Sequence, residues 1–362
     1  MFTTPQVSTF DECSLYKDYE YVINCGNDVN ETDYDGSTPL FHVSTFNVHD
    51  YLAEYEKIVP MFIENGADID HQDYSGYTAL MKSYSDLYSL VLIQNGAKIE
   101  IKDNLGVTVS ALLECSKKGQ VKSIEYIVKN KGIDINKPIN GNTILNTTLD
   151  CINSINYHEA VMGIMTLIKL GADVNILDSN GISPLFKWIQ TYGNSFHGRK
   201  IIKSLIQNGS DVNFSTTYGG EDNFTLLHLS CSTTFLVSRT LLKNGADVNS
   251  VTSSGTTPII YLLDNMWEHD INTLYIFEEF MQYGAKCSMI NKKGVSVLNA
   301  RHICFEEMKV QICNRIRQER WERRGWILMY KERMNYEKKS NHIIDSIIES
   351  PEDIFKNILQ FI

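Results

Sequence analysis

The chain has no C-x-x-C pair and no H-E-x-x-H. Its eight cysteines stand singly at 13, 25, 115, 151, 231, 287, 304 and 313, and its nine histidines are dispersed. That pattern excludes a metal centre of the usual ligand spacing and leaves no resident cofactor to expect. It fits buried free thiols in a reducing cytosol better than a disulfide framework. There is also no Walker loop, no G-x-S-x-G and no acid pair outside the repeated phrases described below, so no catalytic residue is nominated. No apolar run approaches the ~20 residues of a membrane span. The opening MFTTPQVSTFDECSLY has neither a basic n-region nor an apolar h-region, so it does not read as a signal peptide. The expectation is a cytoplasmic protein without membrane contact. Positive charge is scarce where most of the chain lies: residues 1–300 carry 21 Lys and Arg against 34 Asp and Glu. A phosphate-binding surface must be basic, so nucleic acid is not the expected partner.

What the chain has in abundance is repetition. The phrase NGADVN at 244–249 returns as CGNDVN at 25–30, NGADID at 65–70, NGAKIE at 95–100, KGIDIN at 131–136, LGADVN at 170–175, NGSDVN at 208–213 and YGAKCS at 283–288. A second phrase alternates with it: GSTPL at 36–40, GYTAL at 76–80, GVTVS at 106–110, GNTIL at 141–145, GISPL at 181–185, FTLLH at 224–228, GTTPI at 255–259 and GVSVL at 294–298. From the glycine of the first phrase to that of the second is 10 residues at Gly26→Gly36, Gly66→Gly76, Gly96→Gly106, Gly171→Gly181, Gly245→Gly255 and Gly284→Gly294. The return interval varies from 20 at Gly76→Gly96 to 30 at Gly36→Gly66. A tight turn with glycines at special backbone angles allows no slack, whereas a helix pair lengthens at its connecting loop.

This alternation resembles the ankyrin repeat, a unit of ~33 residues built from a β-turn and two helices with a T-P-L-H-x-A signature. Thr38-Pro39-Leu40, Thr257-Pro258-Ile259 and Thr225-Leu226-Leu227-His228 carry the signature. Phe41, Phe186 and Ile260 replace the signature His in other copies. The resemblance implies an all-α repeat solenoid with short β-hairpin fingers. Its parts are an N-terminal capping half-repeat at 1–30, an array of about eight units at 31–317, a basic helical linker or cap at 318–340 and terminal helices at 341–362. Such a stack grows without a single core, and its stability is roughly a sum over units and interfaces. Met308, Ile312 and Ile316 fall four apart and are expected to seal the end of the stack.

Extra residues fall at about 43–55, 152–160, 191–199 and 264–273, between the two helices of their units. They are either drift in tolerated loops or a partner-specific edge. Their mixed aromatic and polar composition, as in MWEHD with Trp267 and His269, is one that interfaces favour. The finger tips are the other candidate surface, with Tyr34, Tyr74 and Tyr218 at three of them; turn chemistry alone is the plainer explanation at each tip. The finger FSTTYGGEDNF is about four residues longer than the rest, and its Tyr-Gly-Gly tip is the favoured single contact point.

The last stretch, HIIDSIIESPEDIFKNILQFI at 342–362, contains a strong helix start at Ser350-Pro351-Glu352-Asp353. The residues that follow form an apolar face. The segment is similar to the opening of an F-box, with Pro351, Ile354, Ile358 and Leu359 at matching positions. Ser350 replaces the usual Leu, and most of an F-box is missing. An F-box-like tail behind ankyrin repeats is the layout of poxvirus-type ankyrin proteins, where the tail is called PRANC. The resemblance implies a non-enzymatic interaction scaffold: a viral host-range or immune-modulating adaptor that binds a host protein through its array and recruits a Skp1–cullin ubiquitin ligase through its tail. The alternative is a simple competitive binder of a host protein, with the tail an ordinary amphipathic cap.

Overall fold

The computed structural model describes residues 9–10, 13, 16–43, 52–102, 108–152, 156–193, 195, 198–265, 271–298, 300, 310–319 and 322. The chain divides into two compact units, Met1–Phe214 and Ser215–Ile362.

The first unit opens with α1 (Tyr16–Asn24) and continues as successive helix pairs. These are α2 (Pro39–His42) with α3 (Leu52–Glu64), α4 (Ala79–Lys82) with α5 (Asp86–Gln94), and α6 (Ala111–Lys117) with α7 (Val121–Asn130). Then follow α8 (Ile144–Asp150) with α9 (Tyr157–Lys169) and α10 (Pro184–Tyr192) with α11 (Gly198–Gln207). First helices pack on the first helices of the next pair, α2 on α4, α4 on α6, α6 on α8 and α8 on α10. Second helices do the same in the order α1, α3, α5, α7, α9, α11. A two-stranded hairpin, β1 (Glu100–Lys102) with β2 (Thr108–Ser110), precedes α6. The core runs along the seam between the two helix rows, through Phe62, Leu92, Ile127, Leu167 and Leu205, all essentially without exposure.

The second unit has one longer hairpin, β3 (Ser215–Tyr218) with β4 (Glu221–Thr225). It is followed by α12 (Leu226–Ser230) with α13 (Phe235–Lys243) and α14 (Pro258–Asn265) with α15 (Ile271–Gln282). Helix α12 packs on α14 and α13 on α15. Residues 310–319 form a further helix, α16. The described chain is helix-rich with four short strands, compatible with an ankyrin-like repeat architecture.

Local chemistry explains where the helices begin and end. The hydroxyls of Thr78, Thr143 and Ser183 each accept the amide N–H three residues on, which satisfies one orphan donor of a helix start. Pro39 and Pro184 occupy the first helical turn, where the missing N–H is no loss. At the other end Gly171 has φ +95°. There Gly171 N–H bonds to Ile168 O and Ala172 N–H to Leu167 O, a Schellman closure that needs a left-handed residue. The same two bonds recur at Gly66, Gly96, Gly209, Gly245 and Gly284.

One unit departs from the expected phase. The phrase at 106–110 puts its threonine at Thr108, but α6 is capped at Ser110 and Thr108 pairs with Lys102 in the hairpin. The finger is two residues longer before its helix starts than the glycine count suggested. The same helix is approached closely by α9: a Cβ at Gly163 would lie 1.9 Å from Ser116 O, and one at Gly119 2.5 Å from Glu159 O.

The insertions fall between paired helices, yet the helices claim part of each. The connections are 43–51, 151–156, 193–197 and 266–270. Of these, 44–51, 153–155, 194, 196–197 and 266–270 lie outside the described residues. The idea that they line one edge falls there too. At the end of the second unit Ile312 and Ile316 of α16 are buried as a seal requires, while Met308 lies outside the described residues. The Glu319 carboxylate accepts the N–H groups of Cys287 and Ser288, at 2.8 and 3.2 Å, in the last copy of the first phrase.

Candidate functional site

The repeated phrases build the edge on which the fingers stand. In six copies the phrase aspartate accepts the amide N–H two residues on: Asp28 from Asn30, Asp68 from Asp70, Asp134 from Asn136, Asp173 from Asn175, Asp211 from Asn213 and Asp247 from Asn249. This is Asx-turn chemistry, the aspartate substituting for a backbone acceptor. The residue after the turn does more. Asn30 donates to Gly66 O and accepts from Asp68 N–H. Asn136 makes the same two bonds to Gly171 and Asp173, Asn175 to Gly209 and Asp211, and Asn249 to Gly284 and Lys286. Asp70 keeps half of the staple, accepting from Lys98 N–H. In these five copies the phrase joins its turn to the next one.

The finger loops are held from inside. Asp33 accepts from the amides of Asp35 and Ser37, Asp73 from Ser75 and Tyr77, and Asp178 from Asn180 and Ile182, all at 2.8–2.9 Å. Asn291 does the same for Lys293 and Val295. A basic side chain four residues into the following helix meets each carboxylate: His42 on Asp33, Lys82 on Asp73 and Lys187 on Asp178. Burial alone raises the Asp33 carboxyl, but the Ser37 and Asp35 amides and the His42 ring outweigh it and hold it below the usual range. At Asp178 burial is likewise outweighed, chiefly by Lys187, and the carboxyl is again depressed. Bonding to Asp73 raises Lys82. These ionisable groups are spent on holding the fingers in shape.

Two of the finger tips present an aromatic side chain outward. Tyr34 is 89% exposed and Tyr74 72%. Tyr74 N–H donates to Asp35 O at 3.0 Å, so the two tips abut. Tyr218 differs. The third tip is the hairpin turn Gly219-Gly220, both with positive φ. Tyr218 lies beside it half-buried, its ring 5.1 Å from that of Phe224. The tip is braced on its neighbours: Glu221 accepts from Ser254 N–H and lies 3.4 Å from Lys293 Nζ, and Asp222 O accepts from Ser253 N–H. Trp267, His269, Pro351, Ile354, Ile358 and Leu359 lie outside the described residues.

In the first unit a cavity of about 130 Å³ is lined by Val174, Asn175, Ser183, Leu185, Ser210, Asp211 and Phe214. Ser210 is buried there and its hydroxyl has no hydrogen-bond partner. Five other copies of the phrase have Ala at this position. Among the described residues no group of three or more His, Cys, Asp or Glu is placed to hold a metal ion. Nor is any helix among them long and apolar enough to cross a membrane.

No family model matches the chain. The chain is similar to the ankyrin repeat protein OPG025 of monkeypox virus, at 34% identity over 100 residues. That stretch is 27% of this chain and 14% of the viral protein. The chain therefore spans only a small part of the length of the relative it matches. The likeness supports the ankyrin-repeat resemblance drawn from the repeated phrases, and a resemblance to poxvirus proteins.

Two features of the fingers and loops escaped sequence reading. The asparagine staple was hidden because the phrase looks complete as a turn. Only its periodic return at the sixth position signalled a contact to the next copy. Tyr84, 80% exposed in the loop between α4 and α5, was also missed. The Lys118 ammonium lies 4.7 Å from its ring centroid and donates to Ser83 O. Burial pulls Lys118 down to about 8.

Proposed function

We propose that the chain is a non-enzymatic protein–protein interaction scaffold, an ankyrin-repeat solenoid of a poxvirus-type protein whose fingers engage a host protein. The observation that carries this reading is the division of labour in the fingers. The carboxylates inside the finger loops bond the turn amides and a basic side chain of the following helix, and at the first two tips a tyrosine is left outward, a residue type enriched among binding hot spots. The monkeypox virus relative is itself described as an ankyrin repeat protein, and arrays of this kind supply extended binding surfaces. The F-box-like segment with Pro351, Ile354, Ile358 and Leu359 adds a second role: recruitment of a Skp1–cullin ubiquitin ligase, which makes the chain a host-range or immune-modulating adaptor acting in the host cytoplasm. A competitive binder with a structural tail is the alternative, favoured by Ser350 standing where an F-box usually has Leu.

Affinity capture from cultured host cells, with the full chain and with a chain lacking residues 341–362, separates the two. The adaptor reading expects Skp1 and cullin with the full chain and their loss on truncation, the array's own target remaining in both. Absence of Skp1 and cullin from the full-length capture removes the adaptor role and leaves the binder.

A further inference from the structure

We infer that the tips of the first two fingers form a docking surface for an extended, arginine-rich segment of a protein partner. The inference rests on the reading of the chain as an interaction scaffold and names the chemistry its first fingers take.

The first observation is geometric. Tyr34 and Tyr74 are two of the three most exposed large apolar side chains among the described residues. They sit on abutting tips, because Tyr74 N–H bonds to Asp35 O. The Tyr74 ring lies against Gly36, where an added Cβ would come 2.7 Å from it. Gly36 thus leaves room for an aromatic ring that is laid down on backbone and still open to solvent. Such rings lose little conformational freedom when a partner covers them.

The second observation is charge. From Asp18 to Met81 the chain carries 13 Asp and Glu and a single Lys or Arg, Lys57; Lys82, the next residue, is engaged by Asp73 inside the second finger. Lys57 stands in α3, paired with Glu54 and 5.8 Å from the centroid of the Tyr16 ring, and so away from the tips. Asp28, Glu31, Asp35 and Asp68 are exposed in the turns and loops of these two fingers. A guanidinium is the group that suits both features, because it stacks on an aromatic face and bonds carboxylates with its planar fork. A neutral apolar segment would desolvate these carboxylates without pairing them, and a nucleic acid would be repelled. The partner segment is therefore cationic and extended, with arginines spaced to meet successive tips.

The test is fluorescence anisotropy of a labelled, unstructured peptide of Arg alternating with Gly and Ser, titrated with the full chain, and of a matched peptide with Glu for Arg. The Arg peptide is expected to bind in a salt-dependent way and the Glu peptide not to bind. The double variant Tyr34→Ala with Tyr74→Ala is expected to bind about tenfold more weakly, since each stacked cation contributes a modest factor. The double Phe variant keeps the rings and is expected to bind like the parent. If removing Tyr74 alters the melting curve, Tyr34→Ala alone is read, with about a threefold loss expected. The proposal is overturned if the Arg peptide fails to bind, or if it binds the Ala variants as tightly as the parent, which is general attraction to an acidic surface. A host protein captured through the array but indifferent to the tyrosine substitutions overturns this surface and leaves the scaffold standing. If no protein is captured through the array at all, the scaffold reading itself falls.

Discussion

Substituting Asp178 tests whether the finger carboxylates are structural. Its side chain is 1% exposed. One oxygen accepts the amides of Asn180 and Ile182, both at 2.9 Å, and the other faces Lys187. Asp178→Ala removes an acceptor from two amides and one of two carboxylates from Lys187, which keeps Asp150 at 2.7 Å. A bond to an ionised acceptor is worth about 1.5–3 kcal/mol, and a buried donor left unpaired costs about 1–3 kcal/mol. Ile182 and Asn180 sit in a loop that water partly reaches, so the lower ends apply and the expected loss is about 2–4 kcal/mol. Asp178→Asn keeps the oxygen that the amides use and loses the charge, so it is expected to cost about half as much. The sign with pH follows from the depressed carboxyl. The unfolded state takes up protons first, near its ordinary value of about 3.9, so this contribution is present at neutral pH and lost as pH falls through the folded value. Urea unfolding of the full chain and the two variants, followed by circular dichroism at pH 7 and at progressively lower pH, gives all three quantities. A cost for Asp178→Ala under about 0.5 kcal/mol, within the range of ordinary surface substitutions, refutes the structural role. Equal costs for Ala and Asn refute the part assigned to the amides.

Two further expectations concern other buried polar groups. His228 accepts at Nδ1 from Thr225 N–H and bonds Thr256 O through Nε2, and burial pulls it down to about 4. The unfolded chain binds its proton first, so stability of the second unit is expected to fall between about pH 6.5 and 4 by roughly 2–3 kcal/mol; a pH-stability profile that is no steeper in this window than that of His228→Gln counts against it. Ser210→Ala restores the alanine of five other copies and removes the unpaired buried hydroxyl; it is expected to raise stability by about 1 kcal/mol, and a lower melting temperature would mean that the hydroxyl is satisfied by water in the cavity.

Sequence and structure part company at identifiable places. Helix starts and stops were legible because each depends on one or two residues with strong local preferences: Thr or Ser before the helix, Pro inside it, Gly after it. The phase of the third finger was not legible, because Thr108 and Ser110 are both competent caps and only the pairing of β2 with β1 chooses between them. The lengths of the insertions were overestimated for a related reason. Helices α3, α9, α11 and α15 extend toward their partners across residues such as Tyr55 and Ala160 whose burial repays the ordering, and burial is a property of the neighbouring unit, not of the loop. The same logic separates the three finger tyrosines, each of which precedes a glycine of its finger by one or two residues. Tyr218 lies in a hairpin long enough to bring the Phe224 ring to 5.1 Å from its own, so it is partly covered from within. Tyr34 and Tyr74 lie in loops closed by a single aspartate three residues before the glycine of the second phrase, too short to fold back on the ring, and they stay outside. Finger length, set by the count between the glycines, therefore decides which tyrosines remain open to a partner, and the short fingers at the acidic end of the chain are the ones that do.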